Sequence, residues 1–211
     1  MSKEPVIMSS IPCDIVILPS SELAQRAIKM SVTLQSHGAL FQLNATGPFP
    51  HTSLYMTQLK IADLDKVKAI LTDIAASTPL LDLTATRYDQ ANGFIDVDYA
   101  RTETLDQLQM TVVEAINPIR DGMREKDKAR MLTTTGKARE NLEKYGYPGV
   151  GELFRPHMTF TRFIDARTID TSTLPNVSEL NGQFVKLGLF EMGENGTCVR
   201  EIAEFTLGDR K

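Results

Sequence analysis

The chain has 211 residues, 42% of them hydrophobic and 24% charged, with a net charge of −4. That is enough for one globular domain or two small lobes sharing a core. The acidic balance argues against a protein that coats long nucleic acid, and leaves small nucleotides or short RNA ends within reach of a local pocket. No apolar run approaches the ~18 residues of a membrane span and the amino terminus lacks a secretory pattern, so the expectation is a cytoplasmic chain with no membrane partner.

Residues 1–12 read as a polar lead. Cys13 to Leu18 is a β-rich run, interrupted by Asp14 and closed by Pro19. Ser20 and Ser21 are candidate caps for a helix whose stripe is Leu23, Ala27, Met30 and Leu34, with His37-Gly38 as its stop. Ala39 to Leu43 is a further strand candidate, and Asn44 to Pro50 a turn-rich link. A second helix follows on Leu64, Val67, Ile70, Leu71 and Ile74, ending near Thr78-Pro79. Leu81, Leu83 and Ala85 then alternate with polar residues, as do Ile95, Val97 and Tyr99. With Asn92-Gly93 between them, these runs predict a hairpin, joined by a link longer than two residues. Thr102 to Ile116 is helical, and Pro118 bends or ends it. Residues 119–144 are rich in Arg and Lys, which fits either a solvated helical face or a surface that steers an anionic substrate. Thr135 is a helix cap. A Gly/Pro-rich break over 145–151 leads to a later strand. Near the C-terminal end, an alternating run over 184–190 turns at Asn195-Gly196 and returns over Cys198 to Leu207. Cys13 and Cys198 read as buried free thiols.

The most informative stretch is Arg155-Pro156-His157-Met158-Thr159-Phe160-Thr161-Arg162. The chain carries a similar phrase at Pro50-His51-Thr52-Ser53-Leu54-Tyr55, so two of its three histidines sit in matching frames. Strict strand alternation puts His157, Thr159 and Thr161 on one face and His51, Ser53 and Tyr55 on another. Each motif strand is followed, 41 and 38 positions after its histidine, by an Asn-Gly turn (51 to 92, 157 to 195). The expected fold is therefore α+β, a single bilobed domain over 1–211. Its two pseudo-symmetric lobes are each a small antiparallel or mixed sheet with outer helices, and the active cleft lies between them. Two histidines facing one centre can serve as general base and general acid. The hydroxyls of Ser53 and Thr159 can bind phosphoryl oxygens. Three histidines and two cysteines offer no metal-ligand spacing, so neither metal nor cofactor is expected.

The two copies, His51-Thr52-Ser53-Leu54 and His157-Met158-Thr159-Phe160, resemble the mark of the two-histidine phosphoesterase superfamily, His-hydrophobic-Thr/Ser-hydrophobic. Thr52 departs from it in being polar. The second copy is similar to the His-x-Thr-Leu-Ala-Arg form of the RNA 2′,5′-ligase-like branch, which aligns Arg162 with that Arg, while Phe160 and Thr161 differ. The resemblance implies metal-independent hydrolysis of a 2′,3′-cyclic phosphodiester of a nucleotide or RNA end. In that reading His51 and His157 are catalytic and Ser53 and Thr159 bind the phosphoryl group. The alignment makes Arg162 a candidate substrate contact, and the faces shared with His51 and His157 make Tyr55 and Thr161 candidates as well. A module that binds a nucleotide or RNA end without turning it over remains the alternative.

Overall fold

The computed structural model describes residues 9–208, so the first eight residues of the polar lead lie outside it. Eight strands and five α-helices follow in the order β1 (Ser10–Pro19), α1 (Ser21–Thr33), β2 (Thr52–Lys60), α2 (Leu64–Ser77), β3 (Leu81–Leu83), β4 (Ala85–Ala91), β5 (Phe94–Tyr99), α3 (Glu103–Ile116), α4 (Glu125–Arg130), α5 (Gly136–Tyr145), β6 (His157–Arg162), β7 (Gly182–Met192) and β8 (Cys198–Thr206). The helix starts follow from their caps. Ser20 and Thr102 hydroxyls accept from the amides of Leu23 and Leu105. Thr135 occupies the cap position of α5 without a side-chain bond.

All strand pairs are antiparallel. The larger sheet runs β2-β1-β7, with β3 and β8 end to end along the far edge of β7. The smaller sheet is β4-β5-β6. The two lobes expected from the repeat are therefore present, but the hairpins are exchanged. The β4-β5 hairpin follows the first motif strand in sequence and pairs with the second, β6. The β7-β8 hairpin follows the second motif strand and joins the sheet of the first, β2. One hydrophobic cluster takes side chains from both sheets and from α1, α2 and α3, including Tyr55, Phe160 and Phe184, all fully buried.

Several local expectations are corrected. β1 begins at Ser10, before the expected Cys13. The run over 81–85 is split between the sheets at Thr84. Residues 39–43 form no strand; they are held by a single bridge, Ala39 to Phe163, and by Ser31, whose hydroxyl accepts from the Leu43 amide at 2.9 Å. The β4-β5 link is a two-residue turn, since Ala91 pairs with Phe94. Asn92 and Gly93 both take positive φ, 53° and 84°, the left-handed pair that a tight hairpin requires. At Gly93 a Cβ would lie 2.8 Å from the Ala166 Cα, so glycine is also demanded by packing.

The largest correction concerns the motif strands. In β2, Val16 pairs with Ser53 and Ile15 with Tyr55, leaving Leu54 as a bulge. In β6, Asp96 pairs with Thr159 and Ile95 with Thr161, leaving Phe160 as a bulge. Each bulge falls three residues after its histidine. A bulge inserts one residue and reverses the alternation beyond it. Tyr55 and Thr161 therefore turn into the core beside Ile15 and Ile95. Met56 and Arg162 rejoin the face of Ser53 and Thr159.

Candidate active site

The two motif strands meet at a cleft of about 670 Å³ between the sheets. His51, Ser53 and Met56 line it from the larger sheet, and His157, Thr159 and Asp96 from the smaller one. The histidines are held identically. Nδ1 of His51 lies 2.7 Å from the Phe49 carbonyl oxygen, and Nδ1 of His157 lies 2.7 Å from that of Arg155. A carbonyl only accepts, so each Nδ1 carries the proton and each Nε2 is left for the cleft. In both frames the residue between that carbonyl and the histidine is proline, Pro50 and Pro156, which fixes the local φ and brings the carbonyl back towards the ring.

Each motif hydroxyl also has a carboxylate behind it. Ser53 donates to Asp14 Oδ2 at 2.6 Å, and Thr159 donates to Asp96 Oδ1 at 2.7 Å. The two carboxylates differ in their surroundings. Asp96 is bound by Arg155 at 2.6 Å, and the same guanidinium reaches Asp98 at 3.0 Å and Asp89 at 2.7 Å. Asp14 is fully buried, and among the described residues it makes no close ion pair with Arg or Lys and its Oδ1 has no hydrogen-bond partner. Burial pushes its carboxyl from 3.8 up to about 7, against the Ser53 hydrogen bond and the more distant Arg124 charge. Asp14 Oδ2 stands 3.8 Å from His51 Nε2. His51 is itself 12% exposed. Burial pushes its imidazole from 6.5 down to about 4, with the nearby His157 acting in the same direction. Near neutral pH the pair is therefore an uncharged imidazole beside a carboxyl at the edge of protonation.

Of the residues singled out in the sequence, His51, Ser53, His157 and Thr159 come together at this cleft. Tyr55 does not: it is fully buried, and its hydroxyl donates to the Tyr145 carbonyl at 2.6 Å. Thr161 is likewise buried, with its hydroxyl on the Phe41 carbonyl at 2.6 Å. Both miss the cleft because of the bulges. Arg162 does stand on the cleft side, over the Phe94 ring at 5.0 Å, and bonds the Asn195 side chain at 3.0 Å. The aromatic residues that do line the cleft are Tyr147 and Phe94. Tyr55 supports Tyr147 from beneath, with ring centroids 6.3 Å apart.

Sequence reasoning missed Asp14, Asp96 and Tyr147. Asp14 had a signal, a lone charge inside an apolar strand run, which is costly unless the group is used or neutralised. It also missed a candidate ligand set. Asp14, His51 and Cys198, far apart in sequence, place one ligand atom each within 4.8 Å of one another. A carboxylate, an imidazole and a thiol suit a zinc-like ion, and such an ion would occupy the His51 Nε2. Both cysteines are free and buried, as expected. Of the basic segment, Arg124, Lys126 and Arg130 face the cleft, so that part of it is no mere solvated surface.

Residues 57–186 match the family described as "Protein of unknown function (DUF1045)", a stretch that includes His157 and begins after His51. No curated protein matches the chain in sequence. Among solved structures, the Escherichia coli LigT complex with NADP+ is similar at 14% identity and a TM-score of 0.59, covering 95% of this chain and 99% of that one. A crystal structure described as a phosphoesterase matches at 14% identity and 0.58, over 93% and 98%. TT0787 of Thermus thermophilus matches at 13% and 0.61, over 95% and 100%. The two-lobed α+β fold expected from the two-histidine phosphoesterases is thus shown.

Proposed function

We infer that this chain, which belongs to the family described as "Protein of unknown function (DUF1045)", is a phosphodiesterase that opens a 2′,3′-cyclic phosphodiester of a nucleotide or RNA end. The observation that carries the reading is the matched pair of imidazoles. Each has Nδ1–H fixed on the carbonyl two residues before it, and each turns Nε2 to one cleft. That geometry serves proton transfer on two sides of one phosphorus. The NADP+ bound by the Escherichia coli LigT of the same fold is in keeping with a nucleotide-sized ligand.

Burial keeps His51 neutral near pH 7, so His51 is the base and His157 the acid. His51 Nε2 takes a proton from water as the water oxygen bonds to phosphorus. The bond from phosphorus to one ribose oxygen breaks, and His157 gives that oxygen its proton. The product is a terminal monophosphate, and the two histidines exchange protons before the next turnover. Ser53 and Thr159 donate to the non-bridging oxygens, for which each hydroxyl must turn from its carboxylate. Ser53 is the readier donor, because Asp14, once protonated, no longer needs the serine proton and can donate in its place.

The test is a screen of 2′,3′-cyclic nucleotides, linear dinucleotides and cyclic RNA ends by phosphorus NMR, with the His51→Ala/His157→Ala protein as control. Ring opening by the wild type alone supports the reading. Tight nucleotide binding with no histidine-dependent turnover would instead favour a binding module.

A further inference from the structure

We propose that the α4 wall of the cleft is a second anion subsite, which binds a phosphate monoester carried by the same substrate. The preferred substrate is then a small cyclic phosphodiester bearing an additional phosphoryl group. This deepens the phosphodiesterase reading and rests on it.

Charge is unevenly balanced around the cleft. At the histidine end, the one cleft-lining arginine, Arg155, is already matched by Asp89, Asp96 and Asp98. A phosphodiester carries a single negative charge, and the imidazoles and hydroxyls suffice for it. On the α4 wall the balance is reversed. Arg124, Lys126 and Arg130 all line the cleft. Both arginines lean on one buried carboxylate, Asp127, at 2.7 and 3.1 Å. Glu125, also on this wall, is taken by Lys128 at 2.5 Å. Lys126 makes no ion pair among the described residues. Its ammonium is pushed down by partial burial and by Arg130 and Arg124, against the opposing charge of Asp127.

Arg162, on β6, stacks over the cleft-lining Phe94 ring at 5.0 Å, and its own hydrogen bonds go to uncharged groups of two other lining residues, the Asn92 carbonyl at 3.2 Å and the Asn195 amide oxygen at 3.0 Å. Positive groups from two elements therefore gather around one cleft. The carboxylate of Glu194, at the mouth, is the one acidic lining residue there without an ion-pair partner among the described residues. Like charges held together in a partly desolvated cleft destabilise the empty protein, and an anion between them relieves this. A phosphate monoester brings close to two negative charges at pH 7. Arginine forks bind its oxygens in pairs, with lysine as a point charge. The cleft volume of about 670 Å³ is that of a nucleotide-sized site.

The experiment has a kinetic and an equilibrium arm. First, kcat/KM is compared for adenosine 2′,3′-cyclic phosphate with and without a 5′-phosphate. Second, calorimetry compares adenosine 2′-monophosphate with adenosine 2′,5′-bisphosphate. The added phosphate is expected to favour turnover and binding by about tenfold or more, and Lys126→Ala and Lys126→Ala/Arg130→Gln are expected to shrink that ratio stepwise. Because Lys126 has no ion partner among the described residues, its loss should leave the unfolding transition in place, so a changed ratio reports on recognition. Equal values with and without the phosphate, or a ratio untouched by both variants, would overturn the subsite. Turnover without preference would remove the subsite and keep the phosphodiesterase. Discrimination in binding without turnover would keep the subsite and remove the phosphodiesterase.

Discussion

Replacing Asp14 by Asn makes a prediction that follows directly from the buried carboxyl. In the folded protein Asp14 holds its proton up to about pH 7, whereas the ordinary carboxyl releases it near 3.8. Stability from this raised group is fully present below the unfolded value and is lost as pH rises through the folded one, at about 1.4 kcal/mol per pH unit. His51 runs in the opposite sense, because its folded value is lowered from 6.5 to about 4. Its contribution is present above the unfolded value and is lost as pH falls towards 4. The two slopes oppose each other over the shared range, so this pair makes the wild type nearly flat there. Asn keeps an acceptor for the Ser53 hydroxyl and removes one slope. Relative to wild type, Asp14→Asn should gain roughly 3 kcal/mol between pH 5 and pH 8, two of those units lying below the folded value. Urea unfolding of both proteins at pH 5, 6, 7 and 8 measures it. Parallel profiles would refute the buried, neutral Asp14.

Further outcomes are expected. If His51 is the base, the acid limb of kcat/KM falls near pH 4 rather than near 6.5, read from a rate profile with a cyclic nucleotide; a limb near 6.5 would assign the base elsewhere. Tyr147→Ala should raise KM with a smaller change in kcat. Tyr55→Phe, which loses the hydroxyl's bonds to the Tyr145 carbonyl and the Asn117 amide oxygen, should lower stability by about 1 kcal/mol and leave KM unchanged. Chelator treatment should leave turnover intact. Added zinc should inhibit, and Cys198→Ser should weaken that inhibition; zinc-stimulated turnover would contradict the proton-transfer mechanism.

Those features were legible in the sequence that depend on neighbours along the chain. The Pro-His frames fix the rings through carbonyls two residues away, and the caps at Ser20 and Thr102 act within one helical turn. Alternation predicted the faces of β2 and β6 as far as Leu54 and Phe160, both buried opposite the histidine face. Beyond them the bulges at Leu54 and Phe160 reversed it, and neither residue looks unusual in a strand. Both bulges are set by pairing, since consecutive residues of the neighbouring strand pair two positions apart on the motif strand, information that belongs to that neighbour. The exchange of hairpins between the halves was hidden for the same reason, since the repeat predicts two similar units without saying which hairpin joins which motif strand. Asp14 and the α4 wall belong to a third kind. Their residues were visible as a lone charge and a basic segment, but their meaning depends on the enclosure that the fold supplies.

The central claim is that His51 and His157 act together on one phosphoryl group. The most direct measurement is kcat on a 2′,3′-cyclic nucleotide for His51→Ala, His157→Ala and the double variant, with folding checked by circular dichroism. Each single change should lower kcat by at least about 10²-fold, the scale of one general acid or base. The double variant should be little worse than either, because the two groups work as a unit. Full activity in either single variant, or losses that multiply in the double one, would contradict it.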